Sequence, residues 1–331
     1  MSTKKFAVAG LGNAIMDALI ILENDAFLAE HNLTKGIMHP VDNSKWMEVY
    51  AQLHAPNIAL QTGGSCANTI AALGLMGAEV SYCGHIGEDD FAELYRLQMQ
   101  DACRHHSLLQ GEGHTGKCLS LVSPDAERTM LTDLGTSIQL SSIDHFIPII
   151  KDSQVFHSTG YLLLGDPMKS HLINAATIAK ENGVLVSFDV ADPFVIHAIQ
   201  GEMKSFIEKY VDIVFLNEAE AKAIAGSDDA TQAIELLKDS CSVIVVKLGS
   251  KGSMVYTNGE TAHAGIYKVD AVDTTGAGDS FAAGFLYGWT QGLGLQRSIQ
   301  LASRVAAETV AQLGAVVREH GKLQGLIQEI G

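Results

Sequence analysis

The chain has 331 residues, 47% of them hydrophobic, and a formal net charge of −16. This hydrophobic fraction is ample for a sizeable core, and the length fits one large α/β domain or two smaller ones. A strongly acidic surface repels nucleic-acid phosphates and anionic lipid headgroups, so we expect neither a nucleic acid nor a membrane as a partner. A single nucleotide is compatible with this charge, because backbone amides and Mg²⁺ can hold it locally.

The cysteines are five in number and scattered, with no Cys-x-x-Cys pair: Cys66, Cys83, Cys103, Cys118 and Cys241. This pattern is typical of reduced thiols and predicts neither a disulfide framework nor a zinc site. The first twelve residues contain an apolar run that is too short for a signal peptide. No apolar stretch of the sequence is long enough to span a bilayer. We therefore expect a cytoplasmic protein.

Taken in chain order, short apolar runs alternate with helical patterns over most of the sequence. The runs that predict strands are Phe6–Gly12, Val80–Gly84, Val155–Leu164, Val184–Val190, Ile213–Leu216 and Val243–Leu248. The patterns that predict helices are Asn68–Met76, Met168–Asn182 and Ala230–Lys238, with an almost wholly helical stretch from Gly276 to Gly331. Apolar strands separated by helices indicate a mostly parallel sheet that is covered on both faces.

Two segments, Leu19–Val41 and Thr115–Thr136, break this alternation, because no helix follows each strand-like run in them. Within the second segment, Lys117–Val122 and Arg128–Leu134 predict a hairpin. We infer that the two segments form a small β lid. The sequence shows no internal repeat and no Pro/Gly/Ser-rich linker, so we expect a single domain over residues 1–331 with the lid inserted in it.

Two glycine-rich strings resemble nucleotide-binding motifs but lack essential positions. Gly10-Leu11-Gly12 follows a strand, yet a dinucleotide-binding turn needs a third glycine where this chain has Ile15. A nicotinamide dehydrogenase is therefore disfavoured. The string Gly111–Lys117 approaches a P-loop, but Cys118 replaces the hydroxyl residue that binds Mg²⁺. A strand pattern follows it instead of a helix, which predicts a turn of the lid.

The most informative string is Asp273–Phe281, which reads Asp-Thr-Thr-Gly-Ala-Gly-Asp-Ser-Phe and opens a helical apolar pattern. Small residues at a helix start leave backbone N–H groups free, and the helix dipole adds positive charge there. The string therefore predicts a cradle for an anion. A carboxylate beside such a cradle suits a proton acceptor, so Asp279 is a candidate general base. The alternative is a tight turn in which Asp279 stabilises the helix start.

Polar residues near two other predicted elements are candidate ligands for a small molecule. Asn13 and Asp17 follow the first strand, and ligands of α/β sheets bind beyond the carboxyl ends of strands. Asp17 can accept hydrogen bonds from a vicinal diol, or it can be a turn or capping acid. The glycines of Gly63–Asn68 allow close approach of a ligand to a helix start. Asn68 is either a ligand contact or an ordinary first-turn polar residue.

These strings resemble the two signatures of the ribokinase-like (PfkB) family of carbohydrate and nucleoside kinases. Asp273–Phe281 is similar to the second signature. That resemblance implies that Asp279 is the catalytic base and that the backbone of Gly276, Ala277 and Gly278 is the anion hole.

Gly-Gly-x-x-x-Asn is similar to the first signature of the family. Gly64 and Asn68 match its sugar-contacting positions, and Asp17 matches an acid that binds sugar hydroxyls. The resemblance covers essentially the whole chain. It implies a three-layer α/β/α sandwich with a mostly parallel central sheet and a small β lid.

The resemblance also implies residues for ATP and for its metal ions. Asn217 and Glu220 match an Asn-x-x-Glu motif that organises Mg²⁺ through water, although two acids at a helix start are otherwise common. Residues that border the nucleotide are matched by Lys247, Gly249, Gly252 and Thr274.

Two further features of the family concern the charge on the transferred phosphate. Arg128 matches an arginine that reaches over the phosphate from the lid, or it is a solvated charge of the hairpin. In the family a monovalent cation, often K⁺, lies behind the anion hole, and Asp273 and Thr275 are placed to hold one.

The acceptor is indicated by what this chain lacks. Sugar kinases of the family tend to carry Asp-Pro-Asn-x-Arg after the strand that ends near Asp189, whereas this chain has Asp192-Pro193-Phe194 without Asn-x-Arg. This is closer to the adenosine-kinase-like branch, where positions matching Leu134 and Tyr161 pack around the purine. Both residues could equally belong to the cores of the lid and the sheet. Thr275 departs from eukaryotic adenosine kinases, which have Asn there.

The resemblance therefore implies transfer of the γ-phosphate of Mg·ATP to a primary hydroxyl, most simply the 5′-hydroxyl of adenosine. The alternatives are a ribose or fructose kinase on the same fold, and a nucleoside-binding protein without catalysis. We expect small-molecule partners and a monomer or homodimer.

Overall fold

Apolar runs that are buried on both faces form the centre of the molecule. The computed structural model describes residues 4–53, 57–125 and 127–330. The strands, in chain order, are β1 (Phe6–Leu11), β2 (Ile15–Ile21), β3 (Met38–Pro40), β4 (Ala59–Gly63), β5 (Val80–Ile86), β6 (Ser107–Gln110), β7 (Gly116–Val122), β8 (Arg128–Asp133), β9 (Ser153–Thr159), β10 (Leu185–Asp189), β11 (Ile213–Asn217), β12 (Val243–Lys247), β13 (Ser253–Thr257) and β14 (Glu260–Ala264).

Helices follow most strands of the large sheet and cover both of its faces. They are α1 (Ala26–Glu30), α2 (Asn43–Tyr50), α3 (Ser65–Leu75), α4 (Asp90–Ala102), α5 (Ile147–Lys151), α6 (Met168–Glu181), α7 (Pro193–Tyr210), α8 (Glu218–Ala225), α9 (Gln232–Leu237), α10 (Ala277–Thr290), α11 (Leu295–Val310) and α12 (Lys322–Ile330). Within the described ranges, no helix is both long and apolar enough to cross a membrane.

The large sheet has the strand order β14-β13-β12-β11-β10-β9-β1-β5-β6, parallel from β12 to β6 and antiparallel at the β13 and β14 edge. Alternate residues of one strand enter different cores. In β11, Phe215 packs with α3, α10 and α11, whereas Val214 packs with the layer of α6 and α7. The predicted α/β/α sandwich with a mostly parallel central sheet is therefore confirmed.

The small sheet has the order β3-β8-β7-β2-β4. Its residues alternate between two environments, as expected for a sheet with one dry face. Leu119 and Leu131 pack against Trp46 of α2, while Ser120 and Arg128 on the opposite face line a cleft. The sheet also includes β4 and the first residues of β2, which lie outside the two segments that the sequence assigned to a lid.

Several boundaries differ from the sequence prediction. The run Val155–Leu164 is a strand only to Thr159, and Gly160–Leu164 forms a 3₁₀ helix. At Gly160 a Cβ would stand 2.4 Å from the carbonyl oxygen of Val190, so the chain turns where only glycine fits. The helix predicted from Asn68 begins earlier, at Ser65. Ala126, in the predicted turn of the hairpin, and Gly331, at the end of the predicted helical stretch, lie outside the described residues, as do residues 1–3.

The strand predicted after the P-loop-like string is present. Gly116–Val122 is a strand, and Lys117 on it is buried, with Nζ 5.0 Å from the ring centroid of Trp46. Lys117 therefore belongs to the core of the small sheet. The five cysteines are buried free thiols.

Candidate active site

A single cleft of about 1570 Å³ lies between the carboxyl ends of the parallel strands and the polar face of the small sheet. The last residues of four parallel strands line it: Thr159, Asp189, Asn217 and Lys247. This is the position expected for ligands of an open α/β sheet. Every residue for which the sequence predicted a substrate-binding, nucleotide-binding or catalytic role lines this cleft. These residues run from Asn13, in the connection between β1 and β2, to Asp279 on α10.

Asp279 lies in the first turn of α10, and helix α3 holds its carboxylate from the side. Ser65 Oγ donates to Oδ1 at 2.6 Å, and Asn68 Nδ2 donates to Oδ2 at 2.8 Å. Ser65 and Asn68 are three residues apart on one helix face, so one turn of helix supplies both donors. Burial raises the pKa of Asp279 above its ordinary value, while these two hydrogen bonds oppose the shift. The arrangement orients a carboxylate whose basicity is increased.

The cradle in front of Asp279 depends on the glycine that precedes α10. Gly276 has φ +69°, and a Cβ on it would lie 2.5 Å from the carbonyl oxygen of Ala315. Glycine therefore lets the chain turn into α10 against this loop. Ala277 and Gly278 begin the helix, where the first backbone amides have no intrahelical acceptor. The amides and the helix dipole together favour an anion at this point.

Behind the cradle, Asp273 is fully buried and accepts three hydrogen bonds. Its donors are the amide of Thr275 at 2.9 Å, Thr275 Oγ1 at 2.5 Å and the amide of Gly314 at 2.9 Å. A guanidinium N–H of Arg128, from the small sheet, donates to Thr275 Oγ1 at 2.9 Å. This contact joins the small sheet to the loop of the cradle and places the arginine charge beside it.

A second charged group lies at the ends of β10, β11 and β12. Lys247 Nζ is 2.7 Å from Asp189 Oδ2. Glu220 forms a capping box with Asn217, in which the Glu220 amide donates to Asn217 Oδ1 and the Asn217 amide donates to Glu220 Oε2; Asn217 Nδ2 donates to the other carboxylate oxygen. Burial raises the pKa of Glu220 to about 7, and the Lys247 charge opposes that shift. Both acids are buried, so the lysine is their nearest compensating charge.

Asp17, on β2, also lines the cleft. A Cβ on Gly63 would lie 2.1 Å from Asp17 Oδ2, and a Cβ on Gly64, where φ is +91°, would lie 2.2 Å from the carbonyl oxygen of Asn13. The two glycines therefore let β4 pass against the carboxylate and the β1–β2 connection. Burial raises the pKa of Asp17 to about 7, although the Arg128 charge lowers it.

Two asparagine side chains, Asn13 and Asn68, also line the cleft. Asn13 Nδ2 donates to the carbonyl oxygen of Ser137 at 3.1 Å. Asn68 gives its amide hydrogens to Asp279, and its buried Oδ1 has no partner among the described residues. A buried acceptor of this kind is suited to a hydroxyl of a ligand.

Beyond these polar groups the wall of the cleft is apolar. Four of its side chains are unusually exposed for large hydrophobic residues: Leu134 41%, Ile138 39%, Leu164 44% and Phe194 59%. Tyr161 also lines the cleft nearby. Exposed apolar side chains that converge in a concave site are typical of a pocket for a hydrophobic or aromatic group.

A second set of exposed apolar side chains lines the same cleft. Ile266, Tyr267 and Val269 lie on the segment between β14 and α10, and Ala306 and Val310 of α11 line the cleft as well. Gly249, Gly252 and Thr274 are also among the lining residues.

Sequence reasoning missed several residues that the structure brings to this site. Ser65 lies within the quoted Gly63–Asn68 string, and its spacing from Asn68 was the signal that could have identified it. Asp189 was noted only as the end of a strand, although the carboxyl ends of parallel strands are where ligands of α/β sheets bind. Ile138, Leu164 and Phe194 carried no sequence signal, because apolar residues are ordinarily core residues.

In the described part of the chain, no group of three or more His, Cys, Asp or Glu side chains is arranged to hold a metal ion. Four acids at the cleft are instead hydrogen-bonded within the protein: Asp189 to Lys247, Asp279 to Ser65 and Asn68, Glu220 to Asn217, and Asp273 to Thr275.

Comparisons with known proteins agree with this fold. The solved structure of an adenosine kinase from Sinorhizobium meliloti has a TM-score of 0.91 and 30% identity, covering 99% of this chain and 100% of that one. A probable sugar kinase from Rhizobium etli has a TM-score of 0.91 and 28% identity, with 98% of both chains covered. The adenosine kinase of Saccharomyces cerevisiae is 27% identical over 92% of this chain and 94% of its own length.

The family model described as pfkB family carbohydrate kinase matches residues 32–319. This is most of the chain, and the matched region contains the first turn of α3, the small-sheet hairpin and the cradle of α10. The kinases of this family use ATP and generally Mg²⁺. The chain is therefore a kinase and belongs to the pfkB family.

Proposed function

We propose that this kinase transfers the γ-phosphoryl group of Mg·ATP to the 5′-hydroxyl of adenosine or a related purine nucleoside. The observation that carries the proposal is that four exposed apolar side chains, Leu134, Ile138, Leu164 and Phe194, line the same cleft as the polar groups of Asp17 and Asn68. A ribose would use the polar residues, and a flat base would cover the apolar wall. A free sugar offers hydroxyls on every side and would leave that wall exposed.

In the proposed reaction, the attacking hydroxyl forms a bond to the γ-phosphorus while the bond from that phosphorus to the oxygen bridging it to the β-phosphate breaks. Asp279 takes the hydroxyl proton, and ADP is the leaving group. Its raised pKa makes Asp279 a better proton acceptor than an ordinary aspartate. The amides of Gly276, Ala277 and Gly278 and the Arg128 guanidinium stabilise charge on the phosphoryl oxygens.

Asp17, Gly64, Asn68 and Asn13 hold the acceptor in this proposal. Asp17 accepts from ribose hydroxyls, and the buried Oδ1 of Asn68 accepts a further hydroxyl. Leu134 and Tyr161 contact the base. Because positioning supplies a large share of such a reaction, these contacts act on the rate as well as on binding.

In the same proposal, ATP occupies the part of the cleft that is lined by Gly249, Gly252 and Thr274, which border the nucleotide. Glu220 orients Mg²⁺ through water, which its carboxylate can do because each oxygen has a lone pair beyond its bond to Asn217. A bound Mg²⁺ would neutralise charge on the phosphate oxygens.

A monovalent cation such as K⁺ fits behind the cradle in this proposal. Asp273 and Thr275 offer hard oxygen ligands there, and the three hydrogen bonds to the Asp273 carboxylate leave one lone pair, on Oδ2, for an ion.

A coupled ADP-release assay with adenosine, inosine, guanosine, ribose, fructose and fructose phosphates tests the acceptor. We expect the highest kcat/KM with adenosine. A higher kcat/KM for ribose or fructose would overturn the nucleoside proposal and favour the sugar-kinase alternative. The similarity to the probable sugar kinase from Rhizobium etli supports that alternative. The same assay in EDTA should show no turnover, and a comparison of K⁺-free with K⁺-containing buffer should show stimulation by K⁺.

A further inference from the structure

Lys247 is directed at the anion cradle. It ends β12, and its Nζ lies 3.1 Å from the point where a Cβ would stand on Gly278, in the first turn of α10. Any larger residue at position 278 would meet the ammonium. The glycine therefore leaves a direct path between the lysine and whatever anion the cradle holds.

The simplest explanation for Lys247 is that it neutralises two buried acids. Asp189 accepts from Nζ at 2.7 Å, and Glu220 lies close enough to influence the lysine. These acids have other donors, however. Asp189 Oδ1 accepts from the amide of Ala191 at 3.0 Å, and both oxygens of Glu220 accept from Asn217. Neutralisation explains the pairing but does not require the ammonium to face Gly278.

The ammonium has donors to spare. It carries three N–H groups, and within the described residues Asp189 is the one hydrogen-bond acceptor found for them. Burial alone would lower the pKa of Lys247, but the Asp189 and Glu220 carboxylates raise it above its ordinary value. The lysine is therefore a protonated donor held in place by an acid, with N–H groups left over and its Nζ next to Gly278 of the cradle.

We propose that Lys247 donates to the phosphoryl group during transfer and acts as a second positive charge, approaching from the large sheet while Arg128 approaches from the small sheet. Asp189 is a positioning residue that holds the ammonium between turnovers. This role rests on phosphoryl transfer at Asp279, as proposed above, but it does not depend on which acceptor is used. No bond is made or broken by Lys247, which keeps its proton throughout.

The test separates this role from simple neutralisation. Lys247→Met removes the charge and keeps most of the side-chain length, and the double variant Lys247→Met/Asp189→Asn removes both members of the pair. We expect kcat to fall on the order of 10²-fold in the single variant, as for loss of one donor to a transition-state anion. The double variant should remain as slow. Recovery of kcat in the double variant would show that Lys247 only neutralises Asp189, and would overturn the proposal.

A second measurement needs no acceptor. The ratio of the dissociation constants of ADP and ATP reports the contribution of the γ-phosphate, and we expect both variants to lower the preference for ATP about tenfold, the value of one charge-assisted hydrogen bond. Lys247→Arg, which keeps the charge, should retain most of that preference. An unchanged ratio in both Met-containing variants would also overturn the proposal. Wild-type protein that turns over none of the nucleosides contradicts the proposed acceptor instead and leaves this ratio measurable.

Discussion

The floor and the roof of the cleft are built in different ways. The floor consists of parallel strands buried on both faces, whose last residues project into the cleft from a core of packed aliphatic and aromatic side chains. The roof is a five-stranded sheet with one dry face, packed on Trp46 and Val49, and one polar face open to the cleft. The floor therefore carries functional groups on strand ends and on the first turns of helices α8 and α10, whereas the roof carries them along its strands.

The proposed roles divide only in part between the two sides. Asp279 of α10, Lys247 of β12 and Glu220 of α8, which are proposed to act on phosphate and metal, lie on the side of the large sheet. Asp17, proposed to bind the acceptor, and Arg128, proposed to act on the phosphate, belong to the roof and are separated by one strand of it. A floor fixed by two cores suits groups that must be placed for charge stabilisation. A roof with a single dry face can adapt more easily to the shape of an acceptor.

The largest expected effect comes from the floor. Asp279→Asn keeps the size of the side chain but removes its ability to take a proton, so kcat should fall on the order of 10²–10⁴-fold. Nucleoside affinity should survive, because Asp17 and Asn68 are unchanged. Steady-state kinetics and nucleoside binding on the purified variant measure both quantities.

Asp270→Asn is the matched control, since Asp270 is an exposed acid that lines the same cleft. It should leave kcat near the wild-type value. Near-normal kcat in Asp279→Asn would mean that Asp279 only stabilises the start of α10, for which the expected signature is a loss of roughly 0.3–1 kcal/mol of stability.

The next effect tests the contact between roof and floor. Arg128→Ala removes the guanidinium that bonds Thr275, and kcat should fall on the order of 10²-fold, more than KM rises. Arg128→Lys keeps the charge but not the planar donors, so it should recover part of the rate. A variant with wild-type kcat would reduce Arg128 to a contact between the two sheets.

Asp17→Asn is expected to act on the acceptor and on pH dependence. The hydrogen bonds from the ribose hydroxyls to the charged Asp17 carboxylate would be lost, which should raise the KM of the nucleoside about tenfold to a hundredfold. Because the pKa of Asp17 is raised to about 7, kcat/KM of the wild type should rise with pH through neutrality as the carboxylate ionises. The variant should lose that part of the rise, and an unchanged pH profile would contradict the role.

The same raised pKa has a consequence for stability, with a definite sign. Between its ordinary value of 3.8 and about 7, Asp17 holds a proton in the folded protein that it has lost in the unfolded chain. Folding stability from this group is therefore present at low pH and falls as pH rises through that window. Thermal unfolding of Asp17→Asn across pH 4–8 should show a smaller decline than the wild type.

The smallest effect sharpens the assignment of the acceptor. Phe194→Ser should lower kcat/KM for adenosine about tenfold, from the loss of an aromatic surface for the base, and leave ribose turnover unchanged. Leu97→Ser is a suitable control, because Leu97 is exposed to a similar degree outside the cleft. An equal fall in kcat/KM for adenosine and for ribose would mean that Phe194 supports the structure of the cleft and does not contact the base.

Sequence reasoning worked well where the signal was local. The alternation of apolar strands and helices predicted the sandwich, since the period of apolar residues reports directly on strands and helices. The same reasoning misread Gly160–Leu164 as a strand, because an apolar run does not distinguish a strand from a short buried helix. It also gave no signal for β4, whose polar residues pair with β2 through contacts made by the folded chain.

The sequence by itself determined the fold class and the string that forms the cradle, because both depend on residues close together in the chain. Tertiary structure decided which groups meet there. Ser65 and Asp279 are 214 positions apart, and Lys247 and Asp189 are 58 apart, yet each pair forms a hydrogen bond. Such pairs are set by the order of strands in the sheet and the packing of α3 against α10. Local patterns carry no record of either, because they report only on neighbours along the chain.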